Sequence, residues 1–263
     1  MIALYIAIFL LVALAVTYVF LVMPRSVDAA DMDLQSTDYA LRGLHGRSVP
    51  ENSLSAFALA KEEGYGILLD VSLSSDGRLV VVRDEALPRL CGVKRRVSAL
   101  TYAQLSSLSL AGTAEHIPLL SRVLELIDGH VPLMISISPA SNVPALCKHL
   151  CELMDTYSGA FSVISREPEI LGFFKKYRPR YARGFTVAAG KAGGFARRHL
   201  LTNSTSRPDF ILTDKRHVKE PAFLLATRVF RAKGFALAVR NESEYALCRK
   251  RGLYTVFKGF RPQ

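Results

Sequence analysis

The side chains of this chain best suited to chemistry are few and scattered. Among the six histidines, His116, His130, His149, His199 and His217 show no i, i+4 pair and no carboxylate spacing of the kind that holds a metal, so they are expected on the surface or between helices. His45 follows the first strand and is expected on a surface loop. The four cysteines are far apart, except Cys147 and Cys151, which stand one helical turn apart. They lack the paired spacing of a zinc knuckle or a disulfide framework and read as small buried hydrophobes. Two glycine-containing stretches invite a phosphate-loop reading and fail it. Residues 42–47 lack the G-x-G-x-x-G spacing, and Gly-Lys-Ala-Gly-Gly at 190–194 lacks the P-loop spacing and its following Ser or Thr.

The elements that must position these groups alternate in type. Short β-branched or apolar runs at 39–44, 66–73, 79–83, 131–137, 160–164, 181–186, 209–212, 235–239 and 254–257 read as strands. Stretches with apolar spacings of three and four at 52–63, 120–127, 143–157, 168–177, 218–233 and 242–251 read as helices. Ser74 to Gly77 carries turn chemistry, so 66–73 and 79–83 are expected as consecutive strands without a helix between them. Counted this way there are eight strand and helix repeats, the pattern of an α/β protein with a parallel sheet. About 220 residues of it suit a (β/α)8 TIM-type barrel. An open doubly wound sheet would place a glycine-rich nucleotide turn after its first strand, and none is there.

Residues 1–23 contain no charge, Gly or Pro, and a helix of that length spans ~30 Å of hydrocarbon. The reading is a transmembrane helix over 1–23, a polar linker over 24–38 and the barrel over 39–263. A signal peptide begins with a basic stretch before a shorter apolar run. That start is missing, although Val27 and Ala29 offer a small-residue cleavage pattern. Arg25, Arg42 and Arg47 follow the helix and no Lys or Arg precedes it, which places the barrel on the cytoplasmic side of a single-pass anchor. Unpaired thiols fit that compartment. Lys and Arg outnumber Asp and Glu by 34 to 23, a net charge of +11. No nucleic-acid module accompanies this charge, so the expected anionic partner is the membrane bilayer. Lys94-Arg95-Arg96 and Arg197-Arg198-His199 are expected as solvated faces that add to that attraction.

In order and spacing, Arg42-Gly43, Pro50-Glu51-Asn52-Ser53 with Ala56-Phe57, Leu69-Asp70-Val71 and Asp76 to Asp84 resemble the glycerophosphodiester phosphodiesterase pattern. Ile117-Pro118-Leu119-Leu120 and Phe257-Lys258-Gly259-Phe260 resemble later parts of it, so the likeness covers about 39–260. The resemblance implies a TIM barrel with its site at the C-terminal strand ends. Two histidines there act as acid and base, and three carboxylates hold a divalent cation. It also implies where this chain departs. Leu41 and Arg83 stand at the two histidine positions. Leu68 replaces one metal ligand, Asp70 keeps another and Ser136 replaces the third, while Ser138 stands where the family has a phosphate-binding lysine. This chain has no Trp, whereas the family's pocket commonly includes one; Leu237 or Ala238 occupies that strand.

With both acid-base groups and two of three metal ligands replaced, the expectation is a membrane-anchored barrel that binds a phosphate-containing or lipid-headgroup ligand without hydrolysis. Arg42, Glu51, Asn52, Asp70 and Arg83 are its candidate binding residues, with Arg42 and Arg83 as a cationic pair beside Glu51 and Asp70. No cofactor is expected. A divalent cation, Ca or Mg, enters only in the alternative of a weak or altered enzyme that cuts glycerophosphodiesters to glycerol 3-phosphate and an alcohol. A third reading is a scaffold that contacts another membrane protein.

Overall fold

The computed structural model describes residues 1–25, 37–139, 142–187 and 194–262. Most of the linker, Val27 and Ala29 included, and residues 188–193, with most of the glycine-containing stretch, lie outside the described residues. The chain runs α1 (Ile2–Val22), β1 (Tyr39–Leu41), α2 (Leu54–Glu62), β2 (Gly66–Leu73), β3 (Leu79–Val81), α3 (Pro88–Cys91), α4 (Tyr102–Ser106) and α5 (Leu120–Ile127). It continues as β4 (Leu133–Ile137), α6 (Val143–Met154), β5 (Phe161–Ser165), α7 (Pro168–Tyr177), β6 (Ala182–Thr186), α8 (Gly194–Arg198), α9 (Asn203–Ser206) and β7 (Phe210–Asp214). It closes with α10 (Pro221–Leu224), β8 (Lys233–Val239), α11 (Glu242–Lys250) and β9 (Tyr254–Phe257).

β1 pairs in parallel with both β2 and β9, and the sheet closes through β4 to β8 into an eight-stranded parallel barrel. β3 turns back antiparallel on β2 through Ser74, whose hydroxyl accepts from Arg78 N at 2.9 Å. This is the expected extra strand. β2 is buried at every position, as a strand covered on both faces must be. Side chains alternate along the strands. One set, including Tyr39, Leu68, Met134, Phe210, Leu212 and Phe235, fills the barrel interior. The other, including Ile67, Leu69, Leu133, Ile135 and Ile211, packs under the helices. Each large apolar side chain so buried contributes ~1.5–3 kcal/mol.

The helices carry the local signals that start and stop them. Ser53 caps α2 by accepting from Ala56 N, and Asn241 caps α11 through Glu244 N. Leu120, Val123, Leu124 and Ile127 give α5 one buried face. The expected helix at 218–233 is shorter than its apolar spacing suggests. α10 is followed by one π turn at Leu225–Val229, and Lys233 is already paired with Phe210 in the sheet. Asp38, expected in the linker, belongs to the barrel instead: its carboxylate accepts from Thr255 N at 3.0 Å and from the Tyr245 hydroxyl at 2.8 Å.

α1 has 21 residues and is long and apolar enough to cross a membrane. Its last turn docks on the loops before β6 and β7, at the N-terminal ends of the strands, which form the barrel floor. The fully buried Asn203 donates to Val22 O at 2.8 Å. Arg207 donates to Met23 O at 2.9 Å and lies 4.5 Å over the Phe20 ring. Arg25 donates to Pro179 O at 2.7 Å, and its Nε lies 3.5 Å from Asp209 Oδ1.

Candidate functional site

Two positions beyond each interior residue, the same strand faces reach the C-terminal mouth. Leu41, Asp70, Ser136, Thr186, Asp214 and Leu237 line a cavity of about 300 Å³ there. Register puts Leu41 beside Leu68 and Ser136 beside Asp70. Leu41, Leu68 and Ser136 therefore share one quadrant of the mouth, on three adjacent strands.

Charge in that quadrant is internally matched. Arg42 Nε donates to Asp70 Oδ2 at 2.8 Å and its Nη1 to Glu51 Oε2 at 3.0 Å. Asn52 Nδ2 donates to the same Asp70 oxygen at 3.3 Å. Arg89, from α3, donates to the other Glu51 oxygen and to Asp84. Burial raises the Glu51 carboxyl, but the hydrogen bond from Arg89 and the charges of Arg42 and Arg89 outweigh it and leave Glu51 below its usual value. Arg42 and Asn52 hold these positions with φ of 63° and 58°, a left-handed conformation that is uncommon for residues with a side chain. Gly43 is required: φ is +78°, and a Cβ there would lie 2.6 Å from Ala56 O.

The expected cationic pair is not one unit. Arg42 is buried and neutralised, whereas the Arg83 side chain is 45% exposed at the rim, 3.9 Å from Asp84. The cations open to the cavity are Arg83, Arg166 and Lys258. Burial first, then the charges of Arg240, Arg42 and Arg83, push the Lys258 ammonium below its usual value, the mark of a crowded cationic site. Sequence reasoning missed Arg166 and Lys258, and Asp214, which Arg216 holds in a two-pronged ion pair. The available signal was position: each ends or directly follows a barrel strand.

His45 is not a surface histidine. Its ring is half-buried, and Nε2 is enclosed with no partner among the described residues. Burial lowers its pKa against the pull of Glu51. His149 and His217 do pair with carboxylates, Glu152 at 3.2 Å and Glu220 at 3.1 Å, but both are single i, i+3 contacts. Arg197 is likewise paired, with Glu167, while Lys94, Arg95 and Arg96 are exposed. Burial, with Cys151 beside it, pushes the Cys147 thiol up to about 12, so it supplies no nucleophile.

The sequence profile of the glycerophosphoryl diester phosphodiesterase family matches residues 42–240. The chain belongs to that family. A glycerophosphodiester phosphodiesterase of Bacillus altitudinis is 39% identical over 116 residues, 40% of this chain and 45% of that one. Another, of Caldanaerobacter subterraneus, is 34% identical over 123 residues, 43% of this chain and 50% of that one. The chain thus matches half or less of the length of these relatives. The barrel superposes on an Oleispira antarctica phosphodiesterase solved with its product sn-glycerol-3-phosphate, with TM-score 0.72, 22% identity, and 85% of this chain and 93% of that one covered. It also superposes on a Silicibacter pomeroyi structure described as a glycerophosphoryl diester phosphodiesterase, with TM-score 0.75, 16% identity and 92% and 93% covered. At these identities the structures establish the fold. In this barrel Arg42, Glu51, Asn52 and Asp70 meet through hydrogen bonds at the mouth, beside Leu41, Leu68 and Ser136.

Proposed function

We propose that this family member binds a water-soluble phosphate ester at its mouth without cutting it. The observation that carries this reading is the shared quadrant: Leu41, Leu68 and Ser136 flank Asp70, where hydrolysis needs an acid-base group and two further carboxylates. Among the described residues, no three or more of His, Cys, Asp and Glu stand together as a metal cage. Asp70 spends Oδ2 on Arg42 and Asn52, and Glu51 spends both oxygens on Arg42 and Arg89. This donor set does not fit Ca²⁺ or Mg²⁺, which require six or more oxygens for the one or most of an octahedron for the other. Neither Leu41 nor Arg83 can take up and return a proton.

What remains is anion recognition. Arg83, Arg166 and Lys258 offer charge-assisted hydrogen bonds to phosphate oxygens, beside the hydroxyls of Ser136, Ser138 and Thr186. The Oleispira structure's product supplies the ligand class, a glycerol phosphate. We read α1 as a retained membrane span with the barrel on the cytoplasmic side, because its last turn and Arg25 complete hydrogen bonds of the barrel floor and the Arg bias points that way. The mouth lies at the opposite end, so its ligand arrives from water rather than from the bilayer.

The test is calorimetry and hydrolysis on the full chain in nonionic detergent. sn-Glycerol 3-phosphate binds saturably, Arg166→Gln with Lys258→Gln abolishes that binding, and glycerophosphocholine is not hydrolysed with Ca²⁺ or Mg²⁺ present. Turnover that disappears in Asp70→Asn overturns the reading. A second reading, a weak hydrolase, is favoured by one observation: the unpartnered His45 Nε2 beside Glu51 is a proton acceptor close to the mouth. Turnover lost in His45→Ala would establish it.

A further inference from the structure

A second cavity, of about 550 Å³, opens at the barrel floor between the end of the α10 segment and the starts of β8 and β9. Lys219, Arg228, Arg231, Lys233 and Arg251 line it, and its lining includes no acidic residue. Among the described residues, no carboxylate forms an ion pair with Arg228, Arg231, Lys233 or Arg251, unlike Arg42 and Arg89 at the mouth. Arg231 is held at a φ of 56°, a costly conformation for a residue with a side chain. The inner wall is apolar, with Phe223 and Leu253 buried, and Val229 is 65% exposed next to Arg228.

The position of this groove decides its occupant. Lys233 pairs with Phe210, and the neighbouring Asp209 is the residue that meets Arg25 at the foot of α1. The groove and the α1 attachment are therefore neighbours on one end of the barrel. We propose that the groove holds the headgroup of an anionic phospholipid from the membrane that α1 crosses, a proposal that rests on reading α1 as a span. Guanidinium groups match the two free oxygens of a phosphodiester. The apolar wall of Phe223, Leu224 and Leu253 suits the glycerol and upper acyl carbons that a free phosphate lacks. The lipid would fix the barrel against the bilayer by its floor and keep the mouth toward water.

The full chain in nonionic detergent is titrated by calorimetry with dihexanoyl-phosphatidylglycerol, dihexanoyl-phosphatidylcholine and inorganic phosphate. The anionic lipid binds saturably and best, and Arg228→Gln with Arg231→Asn weakens it at least tenfold, given about a factor of five per basic residue at a lipid surface. Asn is chosen at 231 because it tolerates the left-handed conformation. Lys94→Gln with Arg95→Gln, which removes equal charge elsewhere, leaves binding unchanged. Equal weakening in both variants overturns the proposal in favour of diffuse attraction, equal affinity for inorganic phosphate that the floor variant likewise loses overturns it in favour of a free-anion site, and no saturable binding, or binding that the floor variant keeps, overturns it outright. Glycerol 3-phosphate binding at the mouth is unchanged in the floor variant, so failure there is read separately. Release of the chain from membranes by alkaline carbonate would overturn the span itself.

Discussion

Arg42 Nε lies 2.8 Å from Asp70 Oδ2, with both side chains about nine-tenths buried, and the same guanidinium reaches Glu51 at 3.0 Å. Each carboxylate of this web has a cation: Asp70 has Arg42, and Glu51 has Arg42 and Arg89. In such a setting, removing one partner leaves a charge buried without compensation, whereas removing both together costs far less.

Arg42→Met is therefore expected to lower unfolding stability by about 3 kcal/mol, since it strands Asp70. Combining it with Asp70→Leu should recover most of that loss, because Glu51 keeps Arg89 as its partner. Urea unfolding of the detergent-solubilised chain reads both values. If the double variant loses the sum of the two single losses, the pair is not what stabilises the mouth.

Two groups predict a two-step acid response. His45 is depressed from 6.5 mainly by burial, so the unfolded chain binds its proton first. Its stabilising effect is complete above about pH 6.5 and is lost as pH falls through that value toward the lower folded pKa. Glu51 lies below 4.5, so its share is complete above about pH 4.5 and is lost as pH falls through the folded value. Melting temperatures between pH 7.5 and 3.5 should show both limbs. His45→Gln should flatten the upper limb, and Glu51→Gln should flatten the lower while deepening the upper, because the Glu51 charge supports the His45 proton; one limb that survives both substitutions would refute the assignment.

The barrel and the family were legible in the sequence because both rest on local order. Strand runs, turn residues and the spacing from Arg42 to Asp84 survive any rearrangement in space. What was not legible depends on closure. Arg89 meets Glu51 only because the segment around α3 folds back over the mouth, and Arg166 and Lys258 join one cavity only because β5 and β9 lie across the same barrel. His45 looked exposed because a histidine in a short polar loop usually is. Helix 218–233 failed because Lys233, polar and placed in the apolar spacing of a helix, is needed opposite Phe210 in the sheet.

The floor contacts make α1 part of the folded barrel. Asn203→Ala leaves Val22 O without its buried donor and should cost about 1–2 kcal/mol. Arg25→Ala removes the closest cation from the open oxygen of Asp209, whose pKa burial already raises against the pull of Arg183 and Arg25, and should cost ~1 kcal/mol. Each kcal/mol lowers the melting temperature of a chain this size by roughly 2–4 °C. The same contacts predict that the mature protein keeps residues 1–25. N-terminal sequencing of protein isolated from membranes checks this, and a mature terminus near residue 30 would refute it.

The replaced quadrant also predicts how far the site can be rebuilt. Leu68→Glu with Ser136→Glu places three carboxylates, with Asp70, on mouth-facing positions of β2 and β4. These strands lie ~4.8 Å apart, and Asp70 is already in register with residue 136. Oxygens so placed can meet around a Ca²⁺ that takes ligands at about 2.3–2.6 Å. Without Ca²⁺ the variant should be less stable than the parent, because Leu68 is 3% exposed and a buried unpaired carboxylate is costly. With ~5 mM Ca²⁺ and a dissociation constant of ~0.5 mM, binding should return about 1.4 kcal/mol, a few degrees of melting temperature. The parent should not respond. Hydrolysis of glycerophosphocholine should still be absent, because positions 41 and 83 supply no group that exchanges a proton, and should require His at both in addition. Equal stabilisation of the parent by Ca²⁺ would show that other ligands complete the cage, and the enzyme reading would then stand in place of the binding one.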